Sequence, residues 1–104
     1  MKTIELRTPF NTAQGKKVTS LKFNFDGLTV VDIRNAKPIG DTVFGSSVSV
    51  NTPRLDNSMV AGLAWVAAIK SNPELELTPK DILFMEPKDL FEIMELCQTE
   101  YLFR

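Results

Sequence analysis

The side chains that could do chemistry are few, because the sequence contains no histidine. Histidine is the commonest general base and metal ligand near neutral pH, so Ser-His-Asp and Cys-His catalytic arrangements are excluded. Only carboxylate or lysine chemistry remains. The carboxylates that stand out are Asp81 and Asp89, each the last residue of a Pro-Lys-Asp step, and the closely spaced pair Glu74 and Glu76.

Both Pro-Lys-Asp steps match the start of a helix. Thr78 fits an N-cap and Asp81 the third helical position, where its carboxylate can accept a hydrogen bond from the Thr78 N–H. Pro87 suits a first helical position, with Asp89 in a first turn that favours negative charge. We therefore interpret Asp81 and Asp89 as structural residues. Glu74 and Glu76 have no partner base nearby in sequence, and they are interpreted as parts of a solvated loop.

The remaining motif search is negative. The single cysteine, Cys97, cannot form an internal disulfide, and its helical spacing is that of a buried structural thiol. The sequence has no G-x-G-x-x-G, no Walker motif, no C-x-x-C and no H-E-x-x-H. We expect no catalytic, cofactor-binding or metal-binding residue, and therefore no enzyme.

Composition narrows the class of partner. The 104 residues carry 12 basic and 13 acidic side chains, so the broad basic surface that nucleic acids require is not expected. The longest apolar run, residues 59–69, is much shorter than the about 20 residues of a membrane-spanning helix. We expect neither nucleic-acid binding nor membrane association. Sparse cysteine fits a reducing cytoplasm.

Alternation of apolar and polar residues predicts an N-terminal β-hairpin over residues 2–25. Residues 3–8 and 18–25 each place apolar side chains on one face, which is typical of a half-buried strand. Gly15 lies in the intervening turn. We expect an antiparallel hairpin with one face covered by helices.

Helix start and stop signals follow the hairpin. Thr29 and Asp32 form a capping-box pattern, and the residue before Pro38 disfavours the helical conformation, which predicts a short helix. Thr52 and Pro53 suit the N-cap and first position of a central helix. The predicted elements are a short helix at 29–37, the central helix at 53–72, a short helix at 78–85 and a C-terminal helix at 87–103.

The segment 38–52 has no helical period and is interrupted by glycine and serine. It is predicted as a loop or a small hairpin, the hairpin lying at 42–50. The central helix has large residues on one side and alanines on the other, so it can be sandwiched between neighbours. The predicted fold class is α+β: one domain, residues 1–104, with the hairpin packed on about three to four α-helices.

Several apolar residues exceed what a small core requires. Four of them lie in the 42–50 segment among glycines and serines, and one aromatic residue lies off the main stripe of the central helix. Three consecutive large residues near the C-terminus cannot all face one core; fraying or folding back onto the domain is the alternative to partner contact. The predicted protein-contact residues are Val43, Phe44, Val48, Val50, Trp65, Tyr101, Leu102 and Phe103. The alanine face of the central helix is a further candidate surface.

The order of the predicted strands and helices, together with four sequence segments, resembles the pattern of a known family. The segments are "IELRTPF", "KKVTSLKFNF", "LTVVDIRNAK" and "LTPKDILFMEPKDLFEIMELCQTEYLF". In these, a strand ends in proline, a Gly-Lys turn leads to a second strand, and a last helix ends in aromatic residues. The chain resembles the tail assembly chaperones of long-tailed bacteriophages and prophages, the group of tail proteins E, 41 and 14.

The resemblance implies a non-enzymatic chaperone in the cytoplasm of the bacterial host, absent from the mature virion. Its client would be the tape measure protein, with the major tail protein of the tube as a further partner, and it would act as a homo-oligomer. Two alternatives stay open: a small regulatory or adaptor domain that binds one folded protein, and an enzyme that uses carboxylates alone. Binding to extended coiled-coil segments favours the chaperone, a tight one-to-one complex the adaptor, and a deep pocket of carboxylates the enzyme.

Overall fold

An antiparallel hairpin opens the chain, as predicted, in a computed structural model that describes residues 1–45 and 56–102. Strand β1 (Lys2–Asn11) pairs with β2 (Lys17–Phe23). The register runs from Lys2 opposite Phe23 to Glu5 opposite Ser20, shifts, and resumes with Phe10 opposite Val18. β1 therefore contains a bulge that leaves several of its backbone groups without a partner in β2.

The hairpin turn is closed by one buried side chain. The Oγ1 atom of Thr12 accepts hydrogen bonds from the N–H groups of Gln14 and Lys16, at 3.2 and 3.1 Å. Gly15 adopts a φ of 82°, a left-handed conformation that glycine takes without steric cost. One face of the hairpin enters the core through Leu6, Val18, Leu21 and Phe23.

Helix α1 (Val30–Phe44) begins at the predicted capping box of Thr29 and Asp32. The predicted end of this helix, at 37, is wrong, because α1 continues through Pro38 to Phe44. The same finding corrects the loop or hairpin predicted at 38–52 for residues 38–44; residues 46–55 lie outside the described part of the chain. An internal proline costs a helix about 3 kcal/mol, and the extensive packing of α1 on the next helix offsets that cost.

Helix α2 (Asn57–Ser71) is the central helix. Its N-cap is Asp56, whose carboxylate accepts from the Ser58 N–H. The predicted N-cap, Thr52, and the predicted first helical position, Pro53, lie outside the described part of the chain. Every residue from Val60 to Ala68 is buried. The predicted sandwich is confirmed, but the alanine face is interior and is not the exposed surface that the sequence suggested.

Helices α1 and α2 cross at two glycines. A Cβ atom on Gly40 would overlap the carbonyl group of Ser58, and one on Gly62 would overlap the carbonyl group of Ala36. Each helix therefore presents a glycine to the backbone of the other. This close approach explains why α1 extends beyond Pro38: residues 38–44 are required to build the crossing.

The C-terminal part is built from short helices. A 3₁₀ helix (Pro79–Phe84) stands where the short helix at 78–85 was predicted, and α3 (Pro87–Cys97) ends in a π-helical turn (Gln98–Leu102) instead of running as one helix to 103. Tyr101 in that turn stacks on Phe25 with ring centroids 6.0 Å apart. No helix in residues 1–45 and 56–102 is long and apolar enough to cross a membrane.

Candidate protein-binding surface

Asp89, the carboxylate of the second Pro-Lys-Asp step, is fully buried. Its two oxygens accept hydrogen bonds from the backbone N–H groups of Arg7 and Thr8, at 3.0 and 3.1 Å. These donors lie in the bulge of β1, where the register shift leaves them unpaired with β2. A single side chain in the first turn of α3 therefore connects this helix to β1 by two hydrogen bonds.

Asp81, from the first step, repeats this arrangement at the hairpin turn. It is also fully buried, and its carboxylate accepts from the N–H of Thr78 at 2.8 Å and from the N–H of Ala13 at 3.0 Å. The predicted capping role is confirmed. The bond to Ala13 adds a tie between distant parts of the chain that the local pattern did not reveal.

Asn72, at the end of α2, is a third tie to the hairpin. Its Oδ1 accepts from the Lys22 N–H at 3.1 Å, and its Nδ2 donates to the Lys22 carbonyl at 2.9 Å. The amide thus occupies both backbone groups of one residue of β2, as a neighbouring strand would. Ser71 adds a hydrogen bond from the Asn24 N–H to its Oγ at 3.0 Å. Side chains from α2, α3 and the residue that caps α2 therefore hydrogen-bond to the backbone of the hairpin and fix its position against the helices.

Trp65 and Cys97, whose side chains could take part in binding or catalysis, are both buried structural residues. Trp65, predicted as a rim contact, is completely buried, and its Nε1 donates to the Thr78 carbonyl at 2.9 Å. The prediction is corrected because α2 is covered on all sides, which leaves no rim at that position. Burial raises the pKa of the Cys97 thiol to about 12, so the thiolate that a nucleophile needs is disfavoured.

Ion pairs join α1 to α2 on the surface. Lys37 contacts Asp41 at 2.9 Å and Asp56 at 3.2 Å, and the Asp41 carboxylate holds the Lys37 pKa above its usual value. Lys70 contacts Asp32 at 2.7 Å and lowers the pKa of that carboxyl. These contacts brace the helix pair. In the described ranges no group of three or more acidic or sulfur ligands could hold a metal ion.

An exposed apolar groove lies where α1, the 3₁₀ helix Pro79–Phe84 and α3 meet. Its rim is formed by side chains that face solvent: Phe44 is 38% exposed, Leu83 55% and Phe91 54%. The cavity between them measures about 270 Å³. We call this the Phe44–Phe91 groove, and its lining residues are Val43, Phe44, Ile82, Leu83, Met85, Pro87, Leu90 and Phe91.

The structure places the predicted contact residues in different environments. Val43 and Phe44 are brought into the groove, as the end of α1. Tyr101 and Leu102 are half-buried and pack against the core, in agreement with the fold-back alternative. The predictions for Val48, Val50 and Phe103 concern residues outside the described part of the chain.

The sequence interpretation missed the opposite rim of the groove, Leu83 and Phe91. A signal was present, because Ile82, Leu83 and Phe84 are consecutive and cannot all enter one core from a short helix. Phe91 lies off the stripe of core residues of α3, which includes Leu90. Three consecutive large residues at 82–84 and a large apolar residue off the core stripe at 91 are therefore the sequence signals of this rim.

The lining of the groove is apolar, which suits the side chains of a protein partner better than a charged substrate. The buried carboxylates of Asp81 and Asp89 lie elsewhere and already accept backbone hydrogen bonds. Comparison of the chain with protein-family models, with curated proteins and with solved structures finds no match.

Proposed function

We propose that this protein is a non-enzymatic tail assembly chaperone that binds amphipathic helical segments of a tape measure protein, with the major tail protein as a second candidate partner. Two lines of argument support the proposal. The first is the resemblance of order and phrase described above. The second, which carries it on physical grounds, is the exposed Phe44–Phe91 groove.

The groove has the chemistry of a helix-docking site. An amphipathic helix offers apolar side chains three and four residues apart, and a groove lined by aliphatic and aromatic residues receives them. The volume of about 270 Å³ lies below the about 300–1,000 Å³ of typical small-molecule sites. A cavity of this size supports docking of individual side chains from a larger partner over binding of a free metabolite.

The buried carboxylates also support a binding role over catalysis. Asp81 and Asp89 each accept two backbone hydrogen bonds, and both are shielded from solvent. A general acid or base must reach the substrate proton directly or through one water. Carboxylates held in this way are suited to fixing the hairpin.

The test is capture of the tape measure protein encoded in the same tail gene cluster, co-expressed with this chain. The double variant Phe44→Ser/Leu83→Ser should weaken the complex about tenfold or more, because its apolar contacts are lost. The matched control is Val30→Ser/Val31→Ser, since these side chains are 78% and 58% exposed and do not line the groove. The control should keep wild-type affinity.

Circular dichroism first establishes that both double variants are folded. Equal affinity of the groove and control variants would contradict the proposal, as would a gene cluster without a tape measure protein. A tight one-to-one complex with a folded partner, and none with coiled-coil segments, would favour the adaptor function instead.

A further inference from the structure

A second apolar groove lies between α1, α2 and the start of the 3₁₀ helix Pro79–Phe84, and its volume is about 530 Å³. Ile39 of α1 and Val66 of α2 are buried and form its floor. The described residues that line it include none that lines the Phe44–Phe91 groove. We call it the Ile39–Val66 groove, and its apolar lining residues are Pro38, Ile39, Val66, Ile69 and Pro79.

The Ile39–Val66 groove has the size of a site for a small organic ligand. Its volume lies within the about 300–1,000 Å³ of typical small-molecule sites, whereas that of the Phe44–Phe91 groove lies below this range. Its lining follows α1 from Asp32 to Thr42, a distance of about 15 Å along a helix that rises 1.5 Å per residue. An apolar groove of this length suits an extended alkyl chain better than a compact polar metabolite.

Three of the polar side chains on the lining already have partners within the chain. Lys70 contacts the Asp32 carboxylate at 2.7 Å and donates to the Gly27 carbonyl at 2.8 Å. Thr42 donates through its hydroxyl to the Ile39 carbonyl at 2.6 Å. The charge of Asp32 is therefore balanced by Lys70. The polar lining residues are Asp32, Asn35, Thr42, Lys70 and Lys80.

The other two polar side chains, those of Lys80 and Asn35, are available to a ligand. Neither has a hydrogen bond or an ion pair with a residue in 1–45 or 56–102. Lys80 carries a positive charge, and the Asn35 amide is neutral. Among its described residues, the lining thus presents one unpaired cation and no unpaired anion, which favours a negatively charged ligand.

We propose that the Ile39–Val66 groove binds a medium-chain fatty carboxylate, with the alkyl chain on the apolar floor and the carboxylate paired with Lys80. Burial of the chain supplies most of the affinity, because removal of apolar surface from water is favourable. The ion pair is exposed, so it contributes less affinity and fixes the direction of the chain. An alkylammonium ion would bring a second positive charge to Lys80 and should bind more weakly.

The experiment is an NMR titration of the full chain with octanoate, and with octanol as the uncharged ligand of the same chain length. Octanoate should bind with a Kd of about 1 mM or lower and shift the backbone amide signals of Ile39, Val66 and Ile69. Lys80→Gln should weaken octanoate binding about threefold to fivefold, the range of one exposed ion pair, and leave octanol binding unchanged. Lys17→Gln, which removes an exposed lysine charge from β2, is the matched control and should bind both ligands as the wild type does.

A second pair of variants tests the apolar floor. Thr42 is an exposed residue of the lining, so Thr42→Trp should place its ring in the groove and weaken binding of both ligands about tenfold. Ile33→Trp introduces the same ring at an exposed position of α1 outside the lining, and it should change neither affinity. Circular dichroism establishes that all four variants are folded.

Three outcomes would overturn the inference. They are the absence of saturable octanoate binding up to about 10 mM, octanoate affinity that is unchanged in Lys80→Gln, and wild-type affinity for both ligands in Thr42→Trp. An acidic amphipathic peptide that saturates the groove while octanoate does not would assign it to a protein partner and likewise overturn it. The titration uses this chain alone, so its failure leaves the chaperone proposal standing, and failure of client capture leaves the ligand site standing.

Discussion

The C-terminal segment, comprising the 3₁₀ helix Pro79–Phe84 and α3, has an inner side that faces the core and an outer side that faces solvent, and each side contains residues of unexpected polarity. The inner side contains two carboxylates, Asp81 and Asp89, with no exposed area. The outer side presents Leu83, Phe84 and Phe91, each more than half exposed. In this part of the molecule two carboxylates are therefore interior, while three large apolar side chains face solvent.

The contrast between the two sides distinguishes residues that stabilise the fold from residues that are exposed and could contact a partner. A buried charge is costly unless hydrogen bonds satisfy it, and Asp89 is satisfied by two N–H groups of the β1 bulge. The outer apolar residues contribute little to the core. Exposed apolar clusters of this kind mark interaction surfaces, and we therefore propose a structural role for the inner side and a binding role for the outer side.

The largest effect is expected from Asp89→Ala. It removes the acceptor of the Arg7 and Thr8 N–H groups and should lower the free energy of unfolding by about 3 kcal/mol. Urea denaturation measures the change. Glu95→Ala, an exposed carboxylate on the same helix, is the matched control and should change stability by less than about 0.5 kcal/mol. Equal effects of the two substitutions would remove the distinction between the inner and outer sides.

A smaller loss is expected from Asp81→Asn, which keeps the shape of the side chain and one acceptor oxygen. The variant should be destabilised by about 2 kcal/mol, because a charge-assisted bond to either Thr78 or Ala13 is lost. Amide hydrogen exchange provides a local measurement, and the amide that loses its acceptor, that of Thr78 or that of Ala13, should exchange faster in the variant. Unchanged exchange at both amides would contradict the hydrogen bonds assigned to Asp81.

The sequence predicted the local parts of this arrangement well. The hairpin follows from period-two alternation, and the capping boxes at Thr29 and Thr78 follow from residue type and spacing. A capping pattern involves residues a few positions apart, so it can be identified without the tertiary structure. Helix-start signals of this kind also led to the interpretation of Asp81 and Asp89 as structural residues. Their hydrogen bonds to the hairpin could not be predicted from local spacing.

Two of the errors arise from long-range packing. Pro38 is a valid local stop signal, but α1 passes it because Gly40 is needed against the backbone of Ser58. Trp65 was expected at a rim because the cover over α2 is supplied by residues distant in sequence. For the candidate groove, Val43 and Phe44 were identified by their apolar excess, whereas the opposite rim required a three-dimensional position for α3.

Substitutions on the outer side should reduce client binding with little loss of stability. Leu83→Ser/Phe91→Ser should keep the protein folded, with a stability loss of no more than about 1 kcal/mol, because both side chains are more than half exposed. The same variant should lose client binding. Thermal denaturation and a capture assay measured on one preparation test both statements. Unfolding of this variant would show that the outer apolar residues support the core.

The smallest perturbation requires no substitution. Burial raises the pKa of Cys97 to about 12 from an ordinary value of 9.0, so native protein at pH 8 should react with iodoacetamide only through opening of the inner side. The unfolded thiol ionises first, so the free energy of unfolding should fall as pH rises above about 9. Cys97→Ala provides the control for the pH dependence. Rapid labelling under native conditions would contradict a closed inner side.

The most direct test of the central claim is site-specific photo-crosslinking in cells that co-express the tape measure protein. A photoreactive phenylalanine analogue replaces Leu83 in the Phe44–Phe91 groove, and in a parallel strain it replaces Val31, which is 58% exposed and outside the groove. The account predicts a crosslink to the tape measure protein from position 83 and none from position 31. Equal crosslinking from both positions, or none from position 83 while the complex is still captured, would contradict it.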